Sequence, residues 1–116
     1  MATRARCQDL GCRVIVAGLP MDVQVHSSEW RKYASERIDL RSTEALLNIF
    51  LGEARHHGLL AVDLRGPLLA TSPGAFLPDD YHLSPRGHEA GADALAEAVK
   101  RGPRTAATHS GQEVHP

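Results

Sequence analysis

Aromatic residues and net charge are both scarce in this sequence, and each shortage excludes a class of function. The 116 residues include one Trp, two Tyr and two Phe, too few for the aromatic platform on which single-stranded nucleic acids stack. Thirteen basic residues are balanced by 14 acidic ones, which leaves a net charge of −1 with neutral histidines. No broad positive field therefore favours nucleic acid or an anionic membrane surface. We predict no nucleic-acid partner.

Long hydrophobic runs are missing as well. No segment approaches the roughly 18 apolar residues of a membrane span, and the run VIVAGL at residues 14–19 is too short for a signal-peptide core. The chain as written therefore has no predicted membrane span or export signal, and its compartment stays open. Cys7 and Cys12 have no second cysteine pair to complete a zinc site. A local disulfide and two free thiols are both compatible with their spacing.

What the sequence does contain is an alternation of apolar patterns typical of an α/β protein. Short apolar runs at residues 14–17 and 59–64 predict buried strands. Apolar residues at helical spacing predict helices at residues 27–38, 41–58 and 85–102. The order of these elements predicts an α/β fold with a short parallel sheet.

The polar flanks divide the chain into three parts. Residues 1–11 are predicted to be a poorly ordered lead-in, residues 12–102 a domain, and residues 103–116 a disordered tail. Within the domain, residues 65–83 contain repeated Gly-Pro and Pro-Gly punctuation and are predicted to form a loop. Two strands make a poor sheet, and buried parallel strands need cover on both faces. The chain is therefore predicted to be a portion of a larger α/β domain, or a protomer that needs a partner.

The stretch LPDDYHLSPRGHEAG, residues 77–91, carries most of the chemistry. A histidine that acts as a general base keeps one ring nitrogen free, while an acceptor such as a carboxylate holds the other. Either Asp79 or Asp80 can reach His82 through a tight turn, and Ser84 followed by proline is typical of a helix start. An acidic turn that leads into a helix, with no catalytic role, explains the same residues.

A third interpretation of this stretch is a metal site. Its ligands would be His82, His88, Asp79 and Asp80, although a spacing of six between the two histidines is not a known zinc pattern. Taken alone, His88 is better explained as a packed or hydrogen-bonded side chain of the last helix. We predict neither a resident metal nor a cofactor.

The longer string DDYHLSPRGHEAGADALAEAV resembles the C-terminal signature of the SGNH/GDSL hydrolase superfamily, in which Asp-x-x-His precedes a glycine that opens an alanine-rich final helix. The resemblance covers residues 12–100 and implies a flavodoxin-like, three-layer α/β/α fold. It further implies hydrolysis of esters or transfer of acyl groups. His82 would be the base of a Ser-His-Asp triad and Asp79 its orienter, with Asp80 as the alternative orienter.

The sequence departs from that superfamily where the nucleophile is expected. It contains neither a Gly-Asp-Ser stretch nor a Gly-x-Asn-Asp stretch, and none of its serines lies in a nucleophile elbow. The chain is therefore predicted to be the C-terminal portion of an SGNH-type hydrolase, inactive alone. The intact enzyme would act on a small-molecule, carbohydrate or lipid ester. The alternative is a non-catalytic remnant that self-associates through its uncovered sheet.

Overall fold

A computed structural model describes residues 2–33 and 36–102 of the chain. Its elements, in chain order, are α1 (Ala2–Asp9), β1 (Ile15–Gly18), α2 (Asp22–Val25), a 3-10 helix (Ser27–Lys32), α3 (Arg41–His56), β2 (Leu60–Asp63), α4 (Arg65–Thr71) and α5 (Pro85–Arg101). The prediction for residues 103–116 lies outside the described residues. Within the described residues, no helix is both long enough and apolar enough to cross a membrane.

Strands β1 and β2 pair in parallel, from Ile15 opposite Leu60 to Gly18 opposite Asp63. Helix α3 lies against both strands, and Gly18 allows this close approach: a Cβ at that position would lie 3.0 Å from a methyl carbon of Leu51. The predicted α/β fold with a short parallel sheet is confirmed.

The buried core lies between β2, α4 and α5. It consists of Val25, Val62, Leu64, Leu68, Ala75 and Phe76, with apolar side chains of α5 packed against it. Leu68 of α4 is fully buried. The sequence predicted a loop over residues 65–83, and that prediction is wrong for α4. Pro67 lies in the first turn of α4, where a helix tolerates proline because its N–H would have no helical partner there.

The helix predicted at residues 27–38 is also different in the structure. Residues Ser27–Lys32 form a 3-10 helix, and Tyr33 then continues as extended backbone. Side chains three residues apart eclipse each other in a 3-10 helix, so Glu29 and Lys32 lie side by side and form an ion pair. Both of these side chains turn into the interior, which a solvent-facing amphipathic helix would not allow.

The N-terminal region contains structure where the sequence predicted a poorly ordered lead-in. Helix α1 is followed by a tight turn at Gly11, whose φ is 70°, and a disulfide joins Cys7 to Cys12. Arg4 donates a hydrogen bond to the main-chain carbonyl of His57 at the end of α3. These contacts join α1 to the turn that follows it and to the end of α3.

Candidate active site

Residues 77–83, which we call the acidic loop, form the tip of a small hairpin between α4 and α5. Phe76 and Leu83 form an antiparallel bridge at the base of the hairpin. The backbone N–H of Leu77 donates to the carbonyl of His82 at 2.9 Å, and the N–H of Ser84 donates to the carbonyl of Ala75 at 3.0 Å. The loop that carries His82 therefore has a defined backbone, although its tip is exposed.

Helix α5 begins directly after the acidic loop, as the Ser84-Pro85 pair predicted. The Ser84 hydroxyl accepts a hydrogen bond from the N–H of Gly87 at 3.1 Å, which satisfies one of the free donors at the helix start. Gly87 packs directly on the hairpin: a Cβ there would lie 2.0 Å from the carbonyl oxygen of Ala75. Only glycine therefore allows α5 to hold the hairpin at this distance.

Within the acidic loop, Asp80 and His82 form a hydrogen-bonded pair. Nδ1 of His82 lies 2.8 Å from Oδ1 of Asp80, and the same oxygen accepts the backbone N–H of His82 at 3.2 Å. The side-chain hydrogen bond to His82 is the main cause that lowers the pKa of the Asp80 carboxyl. An ionised carboxylate can only accept, so Nδ1 carries a proton, and in the neutral imidazole Nε2 then has its lone pair available.

The two candidate orienters lie in different environments. Asp80 contacts the ring, whereas Asp79 is exposed and its side chain makes no hydrogen bond to residues 2–33 or 36–102. Tyr81 stacks on the imidazole, with 4.5 Å between ring centroids. The structure thus brings Asp80, but not Asp79, against His82. The catalytic role of either carboxylate stays a prediction.

The Asp80–His82 pair is open to solvent. The side chain of His82 is 64% exposed and that of Asp80 is 43% exposed, and Nε2 of His82 makes no hydrogen bond within the described part of the chain. Acid–base and oxyanion chemistry in enzymes uses a site from which water is excluded. The geometry of the described residues therefore provides an oriented base that is open to water, and not one enclosed in a pocket.

The metal interpretation receives no support from the positions of its residues. Nδ1 of His88 lies 3.0 Å from the carbonyl oxygen of Ser84, the residue that caps its own helix, so one of its ring nitrogens already has a partner. In residues 2–33 and 36–102, no three His, Cys, Asp or Glu side chains converge as a metal site would require.

A second group of ionisable side chains, which the sequence did not reveal, lies beneath the acidic loop. We call Asp22, Glu29, Lys32 and Tyr33 the buried cluster. Nζ of Lys32 lies 3.2 Å from Oδ2 of Asp22 and contacts Oε2 of Glu29. The hydroxyl of Tyr33 donates to the Asp22 carboxylate at 2.9 Å. Burial of Tyr33 and, after it, this hydrogen bond raise the pKa of the phenol to about 12.

The buried cluster also contacts the acidic loop directly. Nζ of Lys32 donates to the main-chain carbonyl of Asp80 at 2.8 Å and lies 5.6 Å from the centre of the Phe76 ring. The only sequence signal for this cluster is the Glu29–Lys32 spacing, which is equally typical of a solvated helix face. Its partners Asp22 and Asp80 become visible only in the folded chain.

Comparison with known proteins agrees with the motif. The profile of the family described as "SGNH hydrolase-like domain, acetyltransferase AlgX" matches residues 1–115. The chain belongs to this family. A curated relative, the probable alginate O-acetylase AlgJ of Pseudomonas putida, is 33% identical over 100 residues, which are 84% of this chain and 25% of that protein. The predicted membership of the SGNH superfamily is confirmed.

A solved structure confirms the fold. The O-acetyltransferase domain of Pseudomonas putida AlgJ superposes with a TM-score of 0.71 at 31% identity, covering 84% of this chain and 34% of that one. The chain thus spans about a quarter of the length of the curated relative and about a third of the solved domain. It is related to part of an SGNH-like domain. That this part is the C-terminal one stays a prediction.

Proposed function

We propose that this chain supplies the base and its orienter, His82 and Asp80, to a serine acyl-transfer site of the SGNH type. The observation that carries the proposal is the 2.8 Å contact between Nδ1 of His82 and Oδ1 of Asp80. That contact lies inside the motif that resembles the superfamily signature, in a chain that belongs to an SGNH hydrolase-like family. Asp79, the first orienter suggested by the motif, remains the alternative, and its exposed position gives it less support.

The proposed chemistry follows from the tautomer of His82. Nε2 takes the proton of a serine hydroxyl while the serine oxygen forms a bond to the acyl carbon. Asp80 stabilises the imidazolium that results. Nε2 then returns the proton to the departing alkoxide as the ester C–O bond breaks, and the acyl-serine is consumed by water or by an acceptor hydroxyl. The serine and the oxyanion donors would come from the parts of the domain that this chain does not cover.

The acyl group and the acceptor are proposed from the relatives. The solved relative is described as an O-acetyltransferase domain, and the curated relative as a probable alginate O-acetylase. We therefore propose acetyl as the acyl group and a polysaccharide hydroxyl as its acceptor. Within the wider expectation of a small-molecule, carbohydrate or lipid ester, this choice narrows the substrate to a carbohydrate.

A graft tests the proposal. This chain replaces the aligned segment of the Pseudomonas putida AlgJ O-acetyltransferase domain, and release of acetate from p-nitrophenyl acetate is measured. We expect turnover by the graft and none by the 116-residue chain alone. His82→Ala should lower the rate of the graft by about 10³-fold or more. His57→Ala is the matched control, since His57 is also exposed and lies 3.8 Å from a carboxylate oxygen of Glu53.

Two outcomes of that experiment would contradict the proposal. Turnover by the isolated chain that His82→Ala abolishes would mean that the nucleophile lies within these residues. Equal rates for the graft and its His82→Ala variant, with circular dichroism showing both folded, would mean that His82 is not the base.

A second candidate function, self-association, is favoured by one observation. Helix α3 exposes Leu46, Ile49 and Phe50, which are 67%, 62% and 57% exposed, on a helix that covers a sheet of two strands. We propose a second copy of this chain as the partner. Sedimentation should then show a dimer that dissociates in the Phe50→Asp variant. A stable monomer at high concentration would contradict self-association.

A further inference from the structure

Lys32 has an unusual position for a lysine. Its side chain is 4% exposed, whereas lysine is almost never fully buried unless it is paired. Its ammonium donates a hydrogen bond to a carboxylate oxygen of Asp22 at 3.2 Å, forms an ion pair with the carboxylate of Glu29, and donates a hydrogen bond to the main-chain carbonyl of Asp80 at 2.8 Å. Two partners thus compensate the charge, and the third connects Lys32 to the acidic loop.

The Asp80 carbonyl is a sensitive point in that loop. It belongs to the peptide between Asp80 and Tyr81, which lies between the carboxylate and the imidazole of the candidate pair. A fixed carbonyl restricts the backbone torsions on both sides of that peptide, and these torsions set the distance from the Asp80 carboxylate to Nδ1 of His82. On the other side of the loop, the N–H of Leu77 holds the carbonyl of His82.

The exposed pair is anchored within the loop by backbone hydrogen bonds that join Leu77 to Asp80 and to His82, and from the interior by the hydrogen bond from Lys32. The pair itself is largely exposed, so packing contributes little to its geometry. The carbonyl bond to Lys32 joins residues 48 positions apart in the sequence, and Asp22 and Glu29 hold the ammonium in place. The side chain of Lys32 lies under the loop and leaves the solvent-facing side of His82 open.

From these contacts we infer that Lys32 is a positioning residue. Its hydrogen bond to the Asp80 carbonyl holds the Asp80–His82 pair in the geometry in which Nδ1 carries the proton and Nε2 is free. This inference rests on the proposed function for its catalytic meaning. Its structural part concerns the tautomer of His82, which can be measured without an activity assay. Lys32 acts through Asp80 and touches no substrate.

The test is a long-range ¹H–¹⁵N spectrum of the full chain, recorded at a pH at which the imidazoles are neutral. Signals of His82 are assigned with a His82→Gln variant. Lys32→Met should lower the ratio of the Nδ1–H to the Nε2–H form of His82 by about threefold or more, as loss of one hydrogen bond allows. Tyr33→Phe is the matched control: it removes a hydrogen bond to Asp22 without touching Asp80, and should leave the ratio unchanged.

A second set of variants covers the case in which Lys32→Met unfolds the chain. Asp22→Asn with Glu29→Gln neutralises the buried carboxylates and retains Lys32, and Lys32→Met is then added to this double variant. The ratio of the Nδ1–H to the Nε2–H form should be lower in the triple variant than in the double variant. An unchanged ratio in folded Lys32→Met, or between the double and triple variants, would overturn the inference.

The graft separates this inference from the proposed function. Lys32→Met in the graft should lower kcat for p-nitrophenyl acetate while KM stays within about twofold, because the lysine does not touch the substrate. If His82→Ala has no effect on the graft but Lys32→Met still changes the tautomer, the proposed function fails and the positioning role stands. If His82 is essential and Lys32→Met leaves the tautomer ratio of His82 unchanged, only the positioning role fails.

Discussion

The acidic loop and the buried cluster each hold carboxylates beside a cationic or basic side chain, but the two regions differ in exposure and in the partners of that side chain. Asp80 and His82 are two residues apart and exposed. Asp22, Glu29 and Lys32 come together from two different elements, and their side chains are at most 4% exposed. The exposed pair has a free ring nitrogen that can do chemistry. In the buried cluster, the ammonium of Lys32 donates hydrogen bonds to Asp22 and to the Asp80 carbonyl and forms an ion pair with Glu29.

This difference in exposure affects how much each region contributes to stability. An exposed ion pair contributes little to stability because water screens it, so the role we propose for the Asp80–His82 pair is to orient the imidazole. A buried charge whose partner is removed is strongly destabilising, so the buried cluster has its value in the fold. The hydrogen bond from Lys32 to the Asp80 carbonyl is the contact through which the second region supports the first.

The largest expected effect separates the two neighbouring carboxylates of the acidic loop. In the graft, Asp80→Asn should lower the rate of acetate release by about 10³–10⁴-fold, because an amide can donate to Nδ1 and favour the wrong tautomer. Asp79→Asn should leave the rate within about twofold. Initial rates with p-nitrophenyl acetate measure both. A large loss from Asp79→Asn together with an active Asp80→Asn graft would reverse the assignment.

The next largest effect is the loss of stability when a buried lysine is replaced, compared with an exposed lysine at the same spacing from a glutamate. Lys32→Met leaves Asp22 and Glu29 buried without their cationic partner and should lower the free energy of unfolding by about 3–5 kcal/mol. Lys100 pairs with Glu97 three residues earlier, as Lys32 does with Glu29, but is 71% exposed. Lys100→Met should cost at most about 0.5 kcal/mol. Urea unfolding of the full chain measures both, and similar costs would mean that burial of the cluster carries no energetic weight.

A comparison of two glycines tests how closely α5 packs on the hairpin that carries the acidic loop. Gly87→Ala places a Cβ 2.0 Å from the Ala75 carbonyl and should cost about 3 kcal/mol, because backbone atoms must move. Gly52 lies in α3 with open space around its Cβ direction, so Gly52→Ala should be neutral or stabilise the chain by up to about 1 kcal/mol. Urea unfolding midpoints check this pair. A Gly87→Ala midpoint equal to that of the wild type would contradict the close packing.

The smallest effect appears in alkaline solution. Burial and the Asp22 carboxylate favour the neutral phenol and raise the pKa of Tyr33 from its ordinary value of 10.0 to about 12 in the folded chain. The unfolded chain therefore loses this proton first, and stability should fall as the pH rises from about 10 to about 12. In Tyr33→Phe this decline should be shallower. Equal slopes in urea unfolding across that range would show that the folded chain does not raise the pKa of Tyr33.

Much of this arrangement could be predicted from the sequence, because the signals involved are local. The strands β1 and β2 follow from short apolar runs, and α3 and α5 follow from apolar residues at helical spacing. The candidate base and both candidate orienters lie within four residues, so a tight turn was enough to suggest them. Ser84 followed by Pro85 correctly predicted where α5 begins.

The parts that could not be predicted depend on contacts between distant residues. Lys32 and Asp80 are 48 positions apart, and the Glu29–Lys32 spacing gave no sign that both side chains turn inwards. Helix α4 was missed because Gly66-Pro67 reads as a stop signal, while the burial of Leu68 stabilises the helix in the fold. The choice between Asp79 and Asp80 needed the backbone path of the loop, which spacing alone does not give.

The tautomer of His82 in carboxylate variants tests the central claim most directly. Long-range ¹H–¹⁵N spectra of the full chain would be compared for Asp80→Ala and Asp79→Ala at a pH at which the imidazole is neutral. We predict that Nδ1 carries the proton in the wild type and in Asp79→Ala, and that Asp80→Ala shifts the proton toward Nε2. A wild-type tautomer that survives Asp80→Ala and is lost in Asp79→Ala would contradict the assignment of Asp80 and His82 as the oriented pair.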